Sequence, residues 1–131
     1  MNWVEIIIIV ILATALGLVM SLWREVRKCI TPLSEEEFTL NMRKGQLIDL
    51  RKKDAFESGH INGARNIPLG VLRRSIGKIR KDQPVYLYCE KGRTCKRAAF
   101  VFKAKGYSNV YQLEGGLQNW SGGLKVKKHR A

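Results

Sequence analysis

The fold of this chain is decided by one stretch of sequence, P-V-Y-L-Y-C-E-K-G-R-T-C, at residues 84–95. Residues 85–89 combine aromatic and branched apolar side chains without a charge, and a proline introduces them, which predicts a buried β-strand. Residues 94–105 carry apolar side chains at helical spacing and are followed by Gly106, which predicts a helix. One cysteine, Cys89, is therefore expected at the end of a strand and just before a helix.

On either side of this stretch, the chain alternates predicted strands and helices with short connections. The predicted elements are a helix from Ser34, capped by Ser34 and Glu37, to the residue before Gly45, a strand at 47–50, a loop-rich stretch punctuated by Gly59, Gly63 and Pro68, a helix at 69–79, a strand at 109–113, and a short helix that opens at Gly115-Gly116 and ends near Trp120. Such alternation predicts an α/β fold whose parallel sheet is covered by helices on both faces.

The position of Cys89 predicts a reactive thiol. In open α/β sheets, ligands bind at the carboxyl ends of the strands, where this cysteine lies. A loop that curls round the sulfur aims backbone N–H groups inward, and the next helix adds partial positive charge at its N-terminus. Lys91 and Arg93 add full positive charges, and all these effects favour the thiolate. A buried, inert cysteine at a strand end remains the alternative.

An ordered series of short motifs runs from about Ile30 to Trp120. The motifs are L-I-D-L-R at 47–51, Phe56, G-H-I-N-G-A at 59–64, N-I-P at 66–68, Y-C at 88–89, Gly92, A-A at 98–99, G-Y at 106–107, Val110, Leu113, G-G at 115–116, and Trp120. In this order and spacing the chain resembles a rhodanese-like domain. The resemblance implies a small α/β fold with a five-stranded, mainly parallel sheet. It also implies sulfur transfer through a persulfide on Cys89, with a small anionic sulfur donor or a protein persulfide as the partner.

The loop after Cys89 departs from the common family pattern, in which Cys-x-x-Gly-x-Arg-Ser is frequent. The residues expected to form the active-site loop are Glu90, Lys91, Gly92, Arg93, Thr94 and Cys95. Here the arginine comes one place early, and Glu90 adds a negative charge beside the nucleophile, so we expect thiosulfate to be a poor donor. The related phosphatases have Cys, five residues and then Arg, whereas position 95 is Cys, which disfavours a phosphatase.

Other candidate residues have supporting roles in this interpretation. Asp49, Arg51 and Arg65 are expected to order the loops around the cysteine. Cys95 is interpreted as a small residue at a packed helix start, with a resolving thiol as the alternative. His60 is interpreted as a structural turn residue. Because the histidines are isolated and the cysteines lack C-x-x-C spacing, the sequence predicts no metal site and no cofactor.

The N-terminal residues 6–23 predict a membrane span. They carry no charge, and as a helix they would extend about 27 Å, close to the hydrocarbon thickness of a bilayer. Arg24, Arg27 and Lys28 follow directly, so the positive-inside rule predicts an outside N-terminus and a cytoplasmic domain at the cell membrane. A cleaved signal peptide is the alternative, but the basic segment that such a peptide needs is missing.

Charge separates the two parts of the 131-residue chain. The net charge of the whole chain is +13. All 24 Lys and Arg, and ten of the 11 acidic residues, follow position 23, so the last 108 residues carry a net charge of +14. Anionic headgroups near Arg24, Arg27 and Lys28 are the expected partners of this charge. Nucleic acid is not expected, because no aromatic platform accompanies the scattered basic residues. Three cysteines are too few for a disulfide framework.

These observations predict four segments: a single-pass transmembrane helix at 1–24, a juxtamembrane linker at 25–31, a rhodanese-like domain at 32–122, and a basic tail at 123–131. The leading hypothesis is a membrane-anchored cytoplasmic sulfurtransferase that passes sulfane sulfur from Cys89 to a thiophilic acceptor. Two other classes remain open. One is a catalytically silent binding module at the membrane, and the other is a thiol redox enzyme that uses Cys89 with Cys95.

Overall fold

The structure, a computed structural model, describes residues 1–126, with only the backbone for residues 26–29. The helices are α1 (Trp3–Cys29), α2 (Glu35–Asn41), α3 (Lys53–Ser58), α4 (Leu69–Ser75) and α5 (Arg93–Ala104), with short 3-10 turns at Met42–Lys44, Ile76–Lys78 and Leu117–Asn119. The strands are β1 (Ile30–Leu33), β2 (Gln46–Asp49), β3 (Arg65–Asn66), β4 (Val85–Tyr88) and β5 (Val110–Leu113). The side chains of Arg27 and Lys28 and the tail residues 127–131, on which predictions were made, lie outside the described part.

The strands form one sheet in the order β1-β5-β4-β2-β3, and each pairing of neighbours is parallel. β4 lies at the centre, and all four of its residues are buried, as its run of apolar and aromatic side chains requires. In the register, Asp49 at the end of β2 is opposite Tyr88 at the end of β4. The predicted α/β fold with a five-stranded parallel sheet is confirmed.

Helices cover both faces of the sheet, as predicted. On one face, Leu72 of α4 and Phe102 of α5 pack with Ile48 and Leu87 of the sheet. On the other face, Phe38 of α2 packs in a cluster that includes Tyr86, Tyr88 and Leu113. The sheet is therefore a buried central layer between helices.

Two parts of the structure differ from the predicted elements. α1 continues to Cys29 and β1 begins at Ile30, so residues 25–31, predicted as a linker, belong to a helix and a strand. β1 is held by parallel pairing of Ile30 with Val110, which is a contact between distant parts of the chain. The short segment with Thr31 and Pro32 does not by itself predict a strand. α3 and β3 lie in the stretch predicted to be rich in loops, because both are too short for the spacing of their apolar residues to indicate a helix or a strand.

Helix α1 is long and apolar. Its segment Trp3–Glu25 has 23 residues and contains an 18-residue window with a mean hydropathy of 2.7, no part of which is buried inside the protein, so its length and composition suit a membrane crossing. The last turns of α1 contact the domain, where the Trp23 ring meets Phe100 of α5 edge to face at 6.1 Å between centroids. The apolar helix is therefore joined to the domain by side-chain packing as well as by the chain itself.

Candidate active site

Cys89 follows the last residue of β4 and has no exposed surface. The neighbouring strand β2 ends at Asp49, which is also fully buried. The Leu50 amide donates a 3.0 Å hydrogen bond to the Tyr88 carbonyl, so the pairing of the two chains continues past the ends of both strands. Cys89 therefore lies at the carboxyl edge of the sheet, where the sequence predicted a site.

The loop after Cys89 turns its backbone amides toward the sulfur. The amide of Gly92 donates to Sγ at 3.0 Å, and the amides of Thr94 and Cys95 also bond to it. Gly92 has a φ of +91°, a left-handed conformation that is costly for other residues, and it directly precedes α5. The loop is thus an amide cradle that begins at Cys89 and ends at the N-terminus of a helix.

Cys95 lies directly beside Cys89. It is fully buried in the first turn of α5, and its thiol donates a hydrogen bond to Cys89. This hydrogen bond, helped by the loop amides, lowers the pKa of Cys89 to about 6, although burial acts in the opposite direction. The same hydrogen bond and the burial raise the pKa of Cys95. At neutral pH the pair is therefore a Cys89 thiolate next to a protonated Cys95.

Arg51 connects Asp49 to the cysteine loop. Its guanidinium forms a 2.8 Å ion pair with the fully buried Asp49 carboxylate and a 3.4 Å ion pair with Glu90. It also donates to the carbonyl oxygen of Gly59 at 2.5 Å and lies over the ring of Tyr88. Arg51 thereby joins three segments around the site and partly offsets the negative charge of Glu90.

A turn from the next strand closes over the cysteine loop. The amide of Leu117 donates to the carbonyl oxygen of Cys89 at 2.7 Å, and that of Gln118 donates to the carbonyl oxygen of Glu90 at 3.2 Å. A Cβ on Gly116 would lie 2.6 Å from both carbonyl oxygens. The approach of the two backbones therefore requires glycine at position 116.

Of the remaining predicted residues, some lie on the cysteine loop and others lie away from it. Lys91 and Arg93 are exposed on the loop and the first turn of α5. Arg65 is also exposed, and its guanidinium donates to the carbonyl oxygen of Lys78 at 3.5 Å, away from the cysteine loop. His60 stacks on Phe56 and bonds through Nδ1 to the carbonyl oxygen of the same residue, in keeping with a structural role.

Sequence reasoning missed two supporting residues. Asn66 donates to the carbonyl oxygens of Asp49 and Arg51 at 3.2 and 2.8 Å, which fixes the chain after β2. The hydroxyl of Tyr88 accepts a 3.1 Å hydrogen bond from the amide of Ile61 under the site. Asn66 belongs to the N-I-P motif and Tyr88 to the Y-C motif, so the sequence marked both positions as part of the family pattern but did not indicate which contacts they make. Among the side chains that the structure describes, no group of three His, Cys, Asp or Glu is placed to hold a metal ion.

Fold and site together define a single α/β domain with one activated cysteine in an amide cradle at the carboxyl edge of a parallel sheet. The model of the rhodanese-like domain family matches residues 34–122. The chain belongs to this family, as the resemblance predicted.

Known proteins agree with this assignment. The chain is 41% identical to the uncharacterised protein YqhL of Bacillus subtilis, over 95% of this chain and 98% of YqhL. It is 35% identical to the thiosulfate sulfurtransferase GlpE of Shewanella oneidensis, over 57% of this chain and 74% of GlpE. A rhodanese-related protein of Thermoplasma volcanium superposes with a TM-score of 0.66 at 22% identity, over 74% of this chain and 99% of that chain. The chain is therefore a rhodanese-like protein with sulfurtransferase homologues.

Proposed function

We propose that the protein is a membrane-anchored sulfurtransferase that carries sulfane sulfur as a persulfide on Cys89. The observation that carries the proposal is the hydrogen-bonded sulfur of Cys89, which accepts from the Gly92 amide at 3.0 Å and from the Cys95 thiol. A thiolate in this position is the reactive form of cysteine. The similarity to thiosulfate sulfurtransferases supports the same class of reaction.

The reaction has two steps that share the amide cradle. In the first, the Cys89 thiolate attacks the outer sulfur of the donor, a new S–S bond forms, and the rest of the donor leaves with the electron pair of the broken bond, as sulfite does from thiosulfate. In the second, a thiophilic acceptor attacks the terminal sulfur of the persulfide, and Cys89 leaves as a thiolate. The two steps balance without an added oxidant or reductant.

The charges around Cys89 suit an anionic intermediate but restrict the donor. Loop amides and the N-terminus of α5 stabilise the negative charge of the persulfide. Lys91 and Arg93 are exposed and attract an anionic donor, whereas the Glu90 side chain, 60% exposed, repels one. Donors with less negative charge than thiosulfate, among them a cysteine persulfide presented by another protein, therefore suit this loop better.

In the proposed function, α1 holds the domain at the cell membrane. Its uncharged residues 6–23 fit the bilayer, and Arg24, Arg27 and Lys28 directly after them favour an outside N-terminus and a cytoplasmic Cys89. Anionic headgroups then face the basic residues that follow the span. The domain would meet its donors and acceptors close to the membrane surface.

A Cys89–Cys95 redox enzyme is the second candidate, because the two thiols are in contact. In that reaction, Cys95 would attack the inner sulfur of the persulfide and expel hydrogen sulfide, leaving a disulfide for a dithiol reductant. The raised pKa of the buried Cys95 disfavours its thiolate, so the geometry supports Cys95 better as a hydrogen-bond donor.

Initial rates of the full-length protein in nanodiscs test the proposal. With a sulfane sulfur donor and a thiophilic acceptor, we expect the parallel double-reciprocal lines of a ping-pong mechanism. Cys89→Ser should abolish transfer, and Cys95→Ser should retain it, because serine also donates a hydrogen bond. Transfer that survives in Cys89→Ser would contradict the proposal. Loss of turnover in Cys95→Ser, with Cys89 still persulfidated by the donor, would favour the redox enzyme.

A further inference from the structure

A cleft of about 440 Å³ lies where the end of α1 meets the domain. Its lining residues come from α1, β1, α5 and β5. They are Trp23, Ile30, Pro32, Lys96, Ala99, Phe100 and Gln112. None of the residues 89–95 of the candidate active site is among them, so the cleft is a separate site. Its volume falls within the range of about 300–1,000 Å³ that is usual for small-molecule sites.

The walls of the cleft are apolar, and two polar side chains stand out among them. Trp23 and Phe100 provide aromatic surface that is about half exposed. Lys96 supplies a positive charge from the exposed side of α5. Oε1 of Gln112 is buried and has no hydrogen-bond partner within the part of the chain that the structure describes. A buried acceptor without a donor is destabilising, so a ligand that brings an O–H or N–H group to this oxygen would be stabilised.

The position of the cleft points to its ligand. Trp23 ends the apolar segment of α1, and tryptophan at the end of a span lies at the level of the headgroups. A phospholipid in this cleft would therefore place its phosphate near Lys96 and its apolar chains along α1. The same molecule needs a hydroxyl or amine for Gln112. Phospholipid headgroups such as phosphatidylglycerol combine these three properties.

We propose that the cleft binds the headgroup of one phospholipid that carries both an anionic phosphate and a hydrogen-bond donor. The phosphate pairs with Lys96, the donor satisfies Oε1 of Gln112, and the start of the acyl region lies on Trp23 and Phe100. This inference rests on the membrane anchoring in the proposed function and adds a specific lipid site to it. Since Lys96 follows Cys95 in α5, the bound lipid would fix the helix that carries the proton donor to Cys89.

Native mass spectrometry of the full-length protein, released from nanodiscs of phosphatidylcholine and phosphatidylglycerol, tests the site. The wild type should retain one phosphatidylglycerol molecule in preference to phosphatidylcholine. Lys96→Glu and Gln112→Leu should each lower this retention about tenfold, the equivalent of one lost charge-assisted or buried hydrogen bond. Arg97→Glu is the matched control, because Arg97 is the next exposed cation of α5 and does not line the cleft.

A stability measurement separates loss of the site from loss of the fold. In phosphatidylcholine alone, Gln112→Leu should be at least as stable as the wild type, because it removes an unsatisfied acceptor. Equal loss of retention in Arg97→Glu and Lys96→Glu would overturn the proposal in favour of diffuse charge attraction. Displacement of the lipid by soluble glycerol phosphate at similar concentration would also overturn it, since the site would then recognise free phosphate.

The same samples, assayed for membrane insertion and for a persulfide on Cys89, also test the proposed function. Protein that does not co-purify with nanodiscs contradicts both the anchor and the lipid site. Inserted protein that forms a persulfide on Cys89 but retains no phosphatidylglycerol contradicts the lipid site alone. Retained lipid without any persulfide supports the lipid site and contradicts sulfur transfer.

Discussion

Two buried sulfur atoms set the reactivity of the candidate site. The Cys95 thiol donates to Cys89, and the loop amides add further donors, so negative charge on Cys89 is stabilised although the residue is buried. Cys95 occupies a position where the family often has serine. The serine hydroxyl also donates a hydrogen bond, although its C–O bond is shorter than the C–S bond of cysteine. A side chain without a donor at this position should change the chemistry of Cys89 without touching the loop.

The pH dependence of alkylation tests this role of Cys95. Below about pH 6 the Cys89 thiol is protonated and unreactive, and above it the thiolate reacts, so the rate should rise with pH through a midpoint near 6. Cys95→Ser should keep this midpoint within about half a unit, whereas Cys95→Ala should raise it by about one unit or more. Rapid alkylation of Cys89, located by peptide mapping, provides the measurement. An unchanged midpoint in Cys95→Ala would show that Cys95 is not the donor.

Glu90 should determine which donors the site accepts. Its carboxylate is exposed near the cysteine, and Arg51 offsets it only partly at 3.4 Å. Glu90→Gln removes one negative charge and should raise kcat/KM for thiosulfate about fivefold, since a nearby charge in a partly solvated site contributes about 1 kcal/mol. The change should be smaller for a neutral donor. Glu36→Gln, in the exposed part of α2, is the control, and an equal gain there would contradict a local effect.

At the scale of elements, local signals identified β4, α5 and the loop between them. β4 is an uninterrupted apolar run, α5 has apolar residues at helical spacing, and Gly92 marks the turn between them. β1 and the supporting contacts of Asn66 were not predicted, because they depend on pairing with segments far away in the sequence. For the same reason, the hydrogen bond of Arg65 to the carbonyl oxygen of Lys78, away from the cysteine loop, was not predicted. Cys89, Asp49 and Arg51 could thus be predicted from local pattern as candidate site residues, whereas the contacts of Asn66 and Tyr88 could not.

The turn at residues 115–119 should control the shape of the cysteine loop. Gly116→Ala places a Cβ about 2.6 Å from the carbonyl oxygens of Cys89 and Glu90 and forces alanine into a φ of +73°. We expect a loss of about 2 kcal/mol or more in the free energy of unfolding, together with reduced transfer activity. Gly123→Ala is the control, because nothing lies within 4 Å of its Cβ, and it should change stability by less than about 0.5 kcal/mol. Similar losses in both variants, measured by chemical denaturation, would contradict this explanation.

At the scale of the whole molecule, the chain is an apolar helix joined to a strongly basic domain. All 24 Lys and Arg follow position 23, and the end of the helix packs on α5 through Trp23 and Phe100. This arrangement places the positive charge on one side of the proposed span. The domain and the span would therefore take up a fixed orientation with respect to the bilayer.

Reversal of the charges after the span tests that orientation. With Arg24, Arg27 and Lys28 changed to Glu together, we expect a measurable fraction of the protein to insert with the domain outside, because the cytoplasmic retention signal is lost. Protease added to intact cells should then cleave the domain of the variant and spare the wild type. Change of the tail residues Lys127, Lys128 and Arg130 to Glu is the control and should leave the topology unchanged. The same protection pattern in wild type and variant would contradict the proposed orientation.

The mass of the intact protein after incubation with sulfane sulfur donors shows whether Cys89 carries sulfur. Thiosulfate, polysulfide and a loaded persulfide protein should be tried in turn, since Glu90 is expected to disfavour the first. The wild type should gain the mass of one sulfur atom, located on Cys89 by peptide mapping and lost on addition of a thiophilic acceptor. Cys89→Ser should gain nothing. Folded wild-type protein that gains no sulfur from any of the three donors would contradict the proposed role of Cys89.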